Sequence, residues 1–225
     1  MFLLQNIFLD NVDPLTKPLH RPTVQKLFLD TSTSYWNVSK AEDALMFAIY
    51  FAATVSLNQA QCQSLFGQTR NVLVSRFRLG EELALSRTAF LSSSNLMVLQ
   101  AFTILLLGLR KEDDSHLSCA LCTLAIHLAQ ASGIHRDGTN FGLSPFETEV
   151  RRRLWWNIVS LEESFSEYHG SATACLDRIS DTQLPTNIGD NSIYPTMVEW
   201  PKPQDCCTEM TNCLIKLNCS GPYGV

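Results

Sequence analysis

Two consecutive helices and the turn joining them, between Leu117 and Gly170, constrain this chain more than any other stretch. In LSCALCTLAIHLAQASG, Leu117, Leu121, Leu124 and Leu128 form one stripe with Cys119, Cys122, Ile126 and Ala129 beside it. Apolar residues therefore cover most of the circumference, and the helix is expected to be buried. Gly133 supplies the left-handed residue that ends a helix at low cost, and Asp137-Gly138 marks a turn in the polar loop IHRDGTNFG. A second helix then starts by rule. Ser144 is the N-cap, Pro145 takes the first helical position, and Glu147 completes a capping box. Glu147 precedes Arg151, and Glu149 precedes Arg153, at the i,i+4 spacing worth ~0.2–0.5 kcal/mol on an exposed helix. Val150, Leu154, Ile158, Leu161 and Phe165 predict the inward face, and Gly170 the end.

These segments resemble a known family. GIHRDG, then LSPFETEVRRRLWWNIVSLEESFSEYHGSA, then DTQLP are similar in order and spacing to the fungal-specific transcription factor domain. That domain is the middle homology region of fungal binuclear-zinc-cluster transcription factors. FLDNVDPLTKPLHRPTV, ALMFAIYFAATVSL and NLMVLQAF extend the resemblance upstream, and TEM near Thr208 extends it downstream, so it covers roughly the whole chain. The positions it marks as a regulatory or structural motif are His135, Arg136, Asp137, Gly138, Ser144, Pro145, Glu147, Glu149, Arg151, Arg152, Arg153, Trp155, Trp156, Glu162, Gly170, Leu184 and Pro185. Glu162 departs from the aspartate usual in the family, keeping the acid and lengthening it.

The resemblance implies a nuclear, all-α regulatory domain controlling RNA polymerase II transcription of a metabolic or secondary-metabolite gene set. It would restrain or license activation, in response to a small-molecule effector. Its partners would be the transcription machinery or a partner transcription factor, with a homodimer formed through family segments outside this chain. DNA would be reached only indirectly, and zinc is expected only in an N-terminal cluster outside this chain, so no cofactor is expected here. The family domain continues with further helices, so the ending NCSGPYGV reads as a truncation or a misread gene model.

Composition agrees. A chain of 225 residues predicts one domain, and 45% apolar against 17% charged residues exclude a disordered activator as its bulk. The net charge of −5 argues against nucleic acid as a direct ligand, since phosphate binding needs a basic face. Eight cysteines are dispersed, and MFLLQNIFLD lacks a basic leader and a small-residue cleavage site, so reduced thiols are expected. Cys119-x-x-Cys122 is a single pair on a helix, without the six close cysteines of a binuclear cluster, so no metal site is expected. The apolar run Leu96 to Leu109 is shorter than the ~20 residues of a membrane span, and Gln100 and Thr103 interrupt it. It predicts a core helix and no membrane contact.

Taken in order, residues 1–40 predict an N-terminal arm and turns, because Pro14, Pro18 and Pro22 favour an extended segment over a long helix. Residues 41–217 predict the helical domain. Ser39 caps a helix from Ala41 to Leu57 with Leu45, Ile49, Ala52 and Leu57 inward, and another helix runs from Asn58 to Leu79. Gly80 separates it from EELALSRTAFL, whose two glutamates sit in a first turn, and Ser94 or Asn95 caps the Leu96 to Arg110 helix. Short loops predict an irregular multi-helix array of antiparallel helices. After Gly170, LDRISDTQLPTNIGDNSIYP predicts an extended wrap over the bundle, before a helix from Thr208 to Leu217 and an irregular tail at 218–225.

The reactive-looking residues have bland explanations. Arg151 to Arg153 invite a nucleic-acid or nuclear-import reading, but the glutamates one turn earlier favour an exposed, ion-paired helix face. Adjacent helical residues diverge by ~100°, so Trp155 and Trp156 are expected to divide between core and half-buried positions. His135 and Asp137 are the most enzyme-like pair, yet no nucleophile elbow, HExxH or paired glycine loop accompanies them. His135 is expected to fix the loop, with Arg136 or Asp137 as ion-pair partner. The alternative class is a helical enzyme of terpene-cyclase type. Glu112-Asp113-Asp114 lacks the later acid that its magnesium cluster requires.

Overall fold

The computed structural model describes residues 1–112, 115–169 and 180–220. Among them all regular structure is helical: α1 (Phe2–Asn11), α2 (Asp13–Thr16), α3 (Arg21–Thr33), α4 (Lys40–Ser56), α5 (Gln59–Phe66), α6 (Arg70–Arg87), α7 (Leu96–Leu109), α8 (Ser115–Ala131), α9 (Pro145–His169) and α10 (Thr211–Ser220). The all-α expectation holds. Gly170, Asp113, Asp114 and the tail from 221 lie outside the described residues.

The helix at the centre is α4. Ser39 Oγ accepts from Glu42 N at 3.2 Å while Glu42 Oε2 accepts from Ser39 N at 2.8 Å, so two of the free donors at its start are satisfied. Ala44, Leu45, Ala48, Ile49, Phe51, Ala52 and Ala53 are all buried, because α1, α6 and α7 pack around it. Two glycines set how close those partners come. A Cβ on Gly80 of α6 would lie 2.7 Å from the Phe47 ring, and one on Gly108 of α7 would overlap the Phe51 ring. Gly80 therefore does not separate two helices, as its sequence context predicts, but sits inside an unbroken α6 where the backbone meets an aromatic ring. As a consequence Glu81 and Glu82 lie mid-helix rather than in a first turn.

The real break falls earlier. Asn58 and Gln61 form a reciprocal capping box at 2.9 Å, and α5 stops at Gly67, whose φ of +66 is left-handed. The predicted Asn58 to Leu79 helix is thus two helices.

Residues 1–40 are no extended arm. Pro14 and Pro22 occupy the first turns of α2 and α3, where a missing N–H costs nothing, so these prolines start helices. Leu4, Phe8, Leu9, Val24, Leu27 and Phe28 join the same core as α4 and α7.

In α8 the buried side is Ser118, Cys122, Ala125, Ile126 and Ala129 rather than the leucine stripe. Leu117 is exposed and Leu121, Leu124 and Leu128 are only half-buried. Small residues let α8 approach α7 and α9 closely, which leaves the longer leucines at the margin. Asn95 caps α7 through Met97 N at 2.9 Å, and α7 is buried as expected. No helix among the described residues is long and apolar enough to cross a membrane.

From 180 to 210 the chain runs as loops with one short 3-10 turn, Asp190–Ser192, forming the expected wrap. Ile188, Ile193 and Met197 close a small separate core against Phe146 at the start of α9. The final helix is α10, which packs on α2 and α9.

Candidate functional site

The site is built by α9, which carries its charged residues inward. Its capping box is present: Ser144 Oγ accepts from Glu147 N at 3.2 Å, and Glu147 Oε2 accepts from Ser144 N at 3.4 Å. Val150, Leu154, Ile158, Leu161 and Phe165 are buried as the periodicity predicts. The arginine run beside them is not an exposed face. Arg152 and Arg153 are buried, as is Glu149, and each arginine centres a different cluster.

The first cluster fixes the loop before α9. Arg152 Nε and Nη2 donate to Asp137 Oδ2 and Oδ1 at 2.8 and 2.9 Å, a bidentate pair that is almost fully buried. Asp137 also accepts from Thr139 N, Thr139 Oγ1 and Gln183 N, at 3.1, 2.6 and 3.0 Å. Burial works against its ionisation, but Arg152 and these donors outweigh it and hold the carboxyl far below its ordinary value. The Arg152 guanidinium also lies 4.9 Å over the Trp200 ring. Asp181, from the wrap, accepts from Arg136 Nε at 2.8 Å and Asp137 N at 2.7 Å.

The second cluster joins three segments far apart in sequence. Asp190 accepts from Arg153 Nη1 at 2.6 Å on one oxygen and from Lys17 Nζ at 2.8 Å on the other. Lys17 also donates to Asp13 at 2.9 Å, and Arg153 to Glu149 at 3.0 Å. Arg21 N donates to Asp190 at 2.8 Å, placing the carboxylate at the positive end of α3. Burial opposes the charge on Asp190, but Arg153 and Lys17 pull its pKa down to about 2. Asp13 goes the other way: burial outweighs Lys17 and raises it. Lys17 holds a left-handed backbone at φ 46, unusual for a side chain of its size and fixed by the bond from its N to Asp13 O at 2.8 Å. His20 is kept neutral by burial; its Nε2 donates to Asp190 O at 2.9 Å, and its Nδ1 accepts from Thr23 Oγ1 at 2.7 Å.

Several expectations change here. Glu147 is engaged by its cap, and Arg151 donates to Ser132 O at 3.4 Å, so the predicted Glu147–Arg151 pair does not form. Glu149–Arg153 does form, but buried. Both tryptophans are buried, Trp156 because the wrap covers it and Gln183 O accepts its Nε1 at 2.9 Å. His135 forms no ion pair: its ring tilts towards Trp155 at 6.3 Å, and its Nδ1 is buried without a partner. The His135 carbonyl is what anchors the wrap, accepting from Ser180 Oγ and Asp181 N. Gly138 is buried against Thr148, which a Cβ would strike at 2.5 Å; Pro145 starts α9. Glu162 and Leu184 are half-buried, and Pro185 is buried. Sequence reading did not single out Asp13, Lys17, Asp181, Gln183 or Asp190 as site residues. Asp13–Lys17 had a local signal in its i,i+4 spacing, and Asp181 and Gln183 lie in the DTQLP segment that carries the resemblance.

Burial pushes Cys122 up to about 12 and Cys213 up to about 11, keeping both as thiols. Among the described residues no group of three or more His, Cys, Asp or Glu could hold a metal ion.

A model of the fungal specific transcription factor domain matches residues 6–219. The chain belongs to this family. It is 42% identical over 217 residues to an aurofusarin cluster transcription factor of Gibberella zeae, covering 96% of this chain and 32% of the relative. It is 40% identical over 215 residues to a pyriculol/pyriculariol biosynthesis cluster transcription factor of Pyricularia oryzae, covering 96% of this chain and 29% of the relative. A C6 finger domain transcription factor of Aspergillus fumigatus is 37% identical over 91% of this chain and 27% of its own length. This fungal transcription factor domain therefore spans about a third of the length of the curated relatives it matches. No solved structure matches it. Family and relatives are transcription factors, not enzymes, and the terpene-cyclase alternative has no support. Glu112, from its acidic run, is held by Arg70 at 2.5 Å.

Proposed function

We propose that this domain regulates a nuclear transcription factor controlling RNA polymerase II transcription of a secondary-metabolite gene set. The reading rests on the likeness, over nearly the whole chain, to transcription factors named for biosynthesis clusters. Structure supports a regulatory part rather than a DNA-contacting one. All three arginines of the basic run are turned to internal acceptors, so the run offers no phosphate-binding face, and the net charge is −5. DNA contact, and the zinc that serves it, belong in this reading to a linked or partner module. Gly133 to Gly142, the start of α9, the wrap and the N-terminal turn form one cross-braced unit that restrains or licenses activation. Its partners are the transcription machinery or a partner factor.

A reporter tests this. The domain is inserted between a foreign DNA-binding module and an activation segment, and output is compared with the same fusion lacking it, at matched protein level. Lower output with the domain, relieved by Asp190→Asn, is expected. Equal output with and without the domain overturns the regulatory reading.

A further inference from the structure

A cleft of about 440 Å³ opens beside the Asp190 cluster, between α1, α2, α4, α7 and α10. Its walls are apolar, from Val12, Leu15, Ala52, Val55 and Leu107. Its rim carries three cations, Arg110, Lys111 and Lys216, and among the described residues no acidic one lines it. Among the described residues none of the three side chains makes an ion pair or hydrogen bond, whereas the neighbouring Glu112 is taken up by Arg70. Arg110 and Lys111 are exposed and Lys216 is half-buried, so the cleft sets positive charge at the mouth of an apolar hollow, an arrangement that attracts a small anion. Burial first, and then repulsion from Arg110, lower Lys216 below the ordinary lysine value, against the opposing pull of Cys213 and Glu163. A bound carboxylate offsets the repulsion between Arg110 and Lys216. The volume lies in the ~300–1,000 Å³ range of small-molecule pockets, too small for a folded partner.

We propose that this cleft binds a small organic anion with an apolar, ring-sized body, its acid group on Lys216 and Arg110 and its body against Leu15, Val55 and Leu107. The position gives the ligand leverage. Val12 and Thr16 of the lining flank Asp13 and Lys17, while Asn212 and Lys216 flank Cys213, whose thiol donates to Thr16 O at 3.5 Å. A ligand spanning the cleft braces α10 and the α7 end against the turn carrying Lys17. Binding stands on the cleft alone; its transmission to transcription rests on the regulatory reading above.

The experiment is calorimetric titration of the full 225-residue chain with 2-naphthoate and with its uncharged methyl ester. Saturable one-to-one binding of naphthoate, at least tenfold tighter than the ester, is expected. The double variant Arg110→Met, Lys216→Met should lose at least tenfold in naphthoate affinity and leave the ester unchanged. Leu15→Trp, at an exposed lining position that tolerates a larger side chain, should block both. Equal affinity for acid and ester, no saturable binding, or naphthoate binding that survives Leu15→Trp overturns the proposal. These readouts use no reporter, so their failure removes the cleft as a site and leaves the regulatory reading to its own test.

Discussion

Arg153 and Asp190 stand 37 positions apart and meet at 2.6 Å with both side chains almost fully buried. That contact fastens the wrap to α9, and because Asp190 also takes Lys17, it fastens the N-terminal turn to both. Asp190→Asn keeps the shape and removes the charge that balances two buried cations. Breaking one side of such a pair costs about 3–5 kcal/mol. For a chain of this size that lowers the thermal midpoint by roughly 6–20 °C. A midpoint within about 2 °C of the parent would show that the cluster does not hold the wrap.

Acid should unfold the domain through the same residue. Asp190 sits at about 2 when folded against an ordinary 3.8, so its contribution is complete above about pH 4 and is lost as pH falls through 2. The gap corresponds to about 2 kcal/mol. Asp137, also depressed, adds in the same direction, whereas Asp13, raised, works against it. Denaturant unfolding at pH 4, 3 and 2 should show a steep fall for the parent and a flatter one for Asp190→Asn. Parallel curves would remove Asp190 from the acid transition.

Glu81 runs in the opposite sense. It is fully buried in α6, neither oxygen has a hydrogen-bond partner, and burial, aided by Asp43, raises it well above 4.5. The folded state therefore takes up a proton. Its penalty is absent below about pH 4.5 and grows as pH rises towards the folded value. Glu81→Leu should stabilise the domain by about 1–3 kcal/mol at pH 8, an advantage that shrinks at pH 4. A destabilised variant at pH 8 would mean that the carboxylate has a function in place.

The cap of α9 separates two accounts of Glu147. Ser144→Ala with Glu147→Ala should cost about 1–2 kcal/mol, because two free donors at the helix start lose their partners. A double-mutant cycle should give a coupling of at least about 0.5 kcal/mol for Ser144 with Glu147 and near zero for Glu147 with Arg151. Strong coupling in the second cycle would restore the surface pair that the structure replaces with Arg151 to Ser132.

The gains and losses of sequence reading follow the range of the forces involved. Ser39, Asn95 and Ser144 announce their helices because a cap is satisfied within three residues. The inward face of α9 was legible for the same reason, since a 3.6-residue period needs no knowledge of neighbours. Gly80 misled because a glycine reads as a break when alone and as a close crossing only when Phe47 is known to lie against it. Pro14 and Pro22 misled because the same ring that ends one helix begins another.

By itself, then, the sequence determined the helical class, most helix starts, the turn before α9 and the family to which the chain belongs. Tertiary structure alone decided which charges are inside. Glu149, Arg152 and Arg153 have the spacing of an exposed ion-paired face, and become buried only because Asp137 and Asp190 arrive from elsewhere to neutralise them. Burying a charge is favourable only when its partner is present, and the partners here are separated by 15 and 37 positions. No local pattern encodes such a meeting, so the cluster exists only in the folded chain.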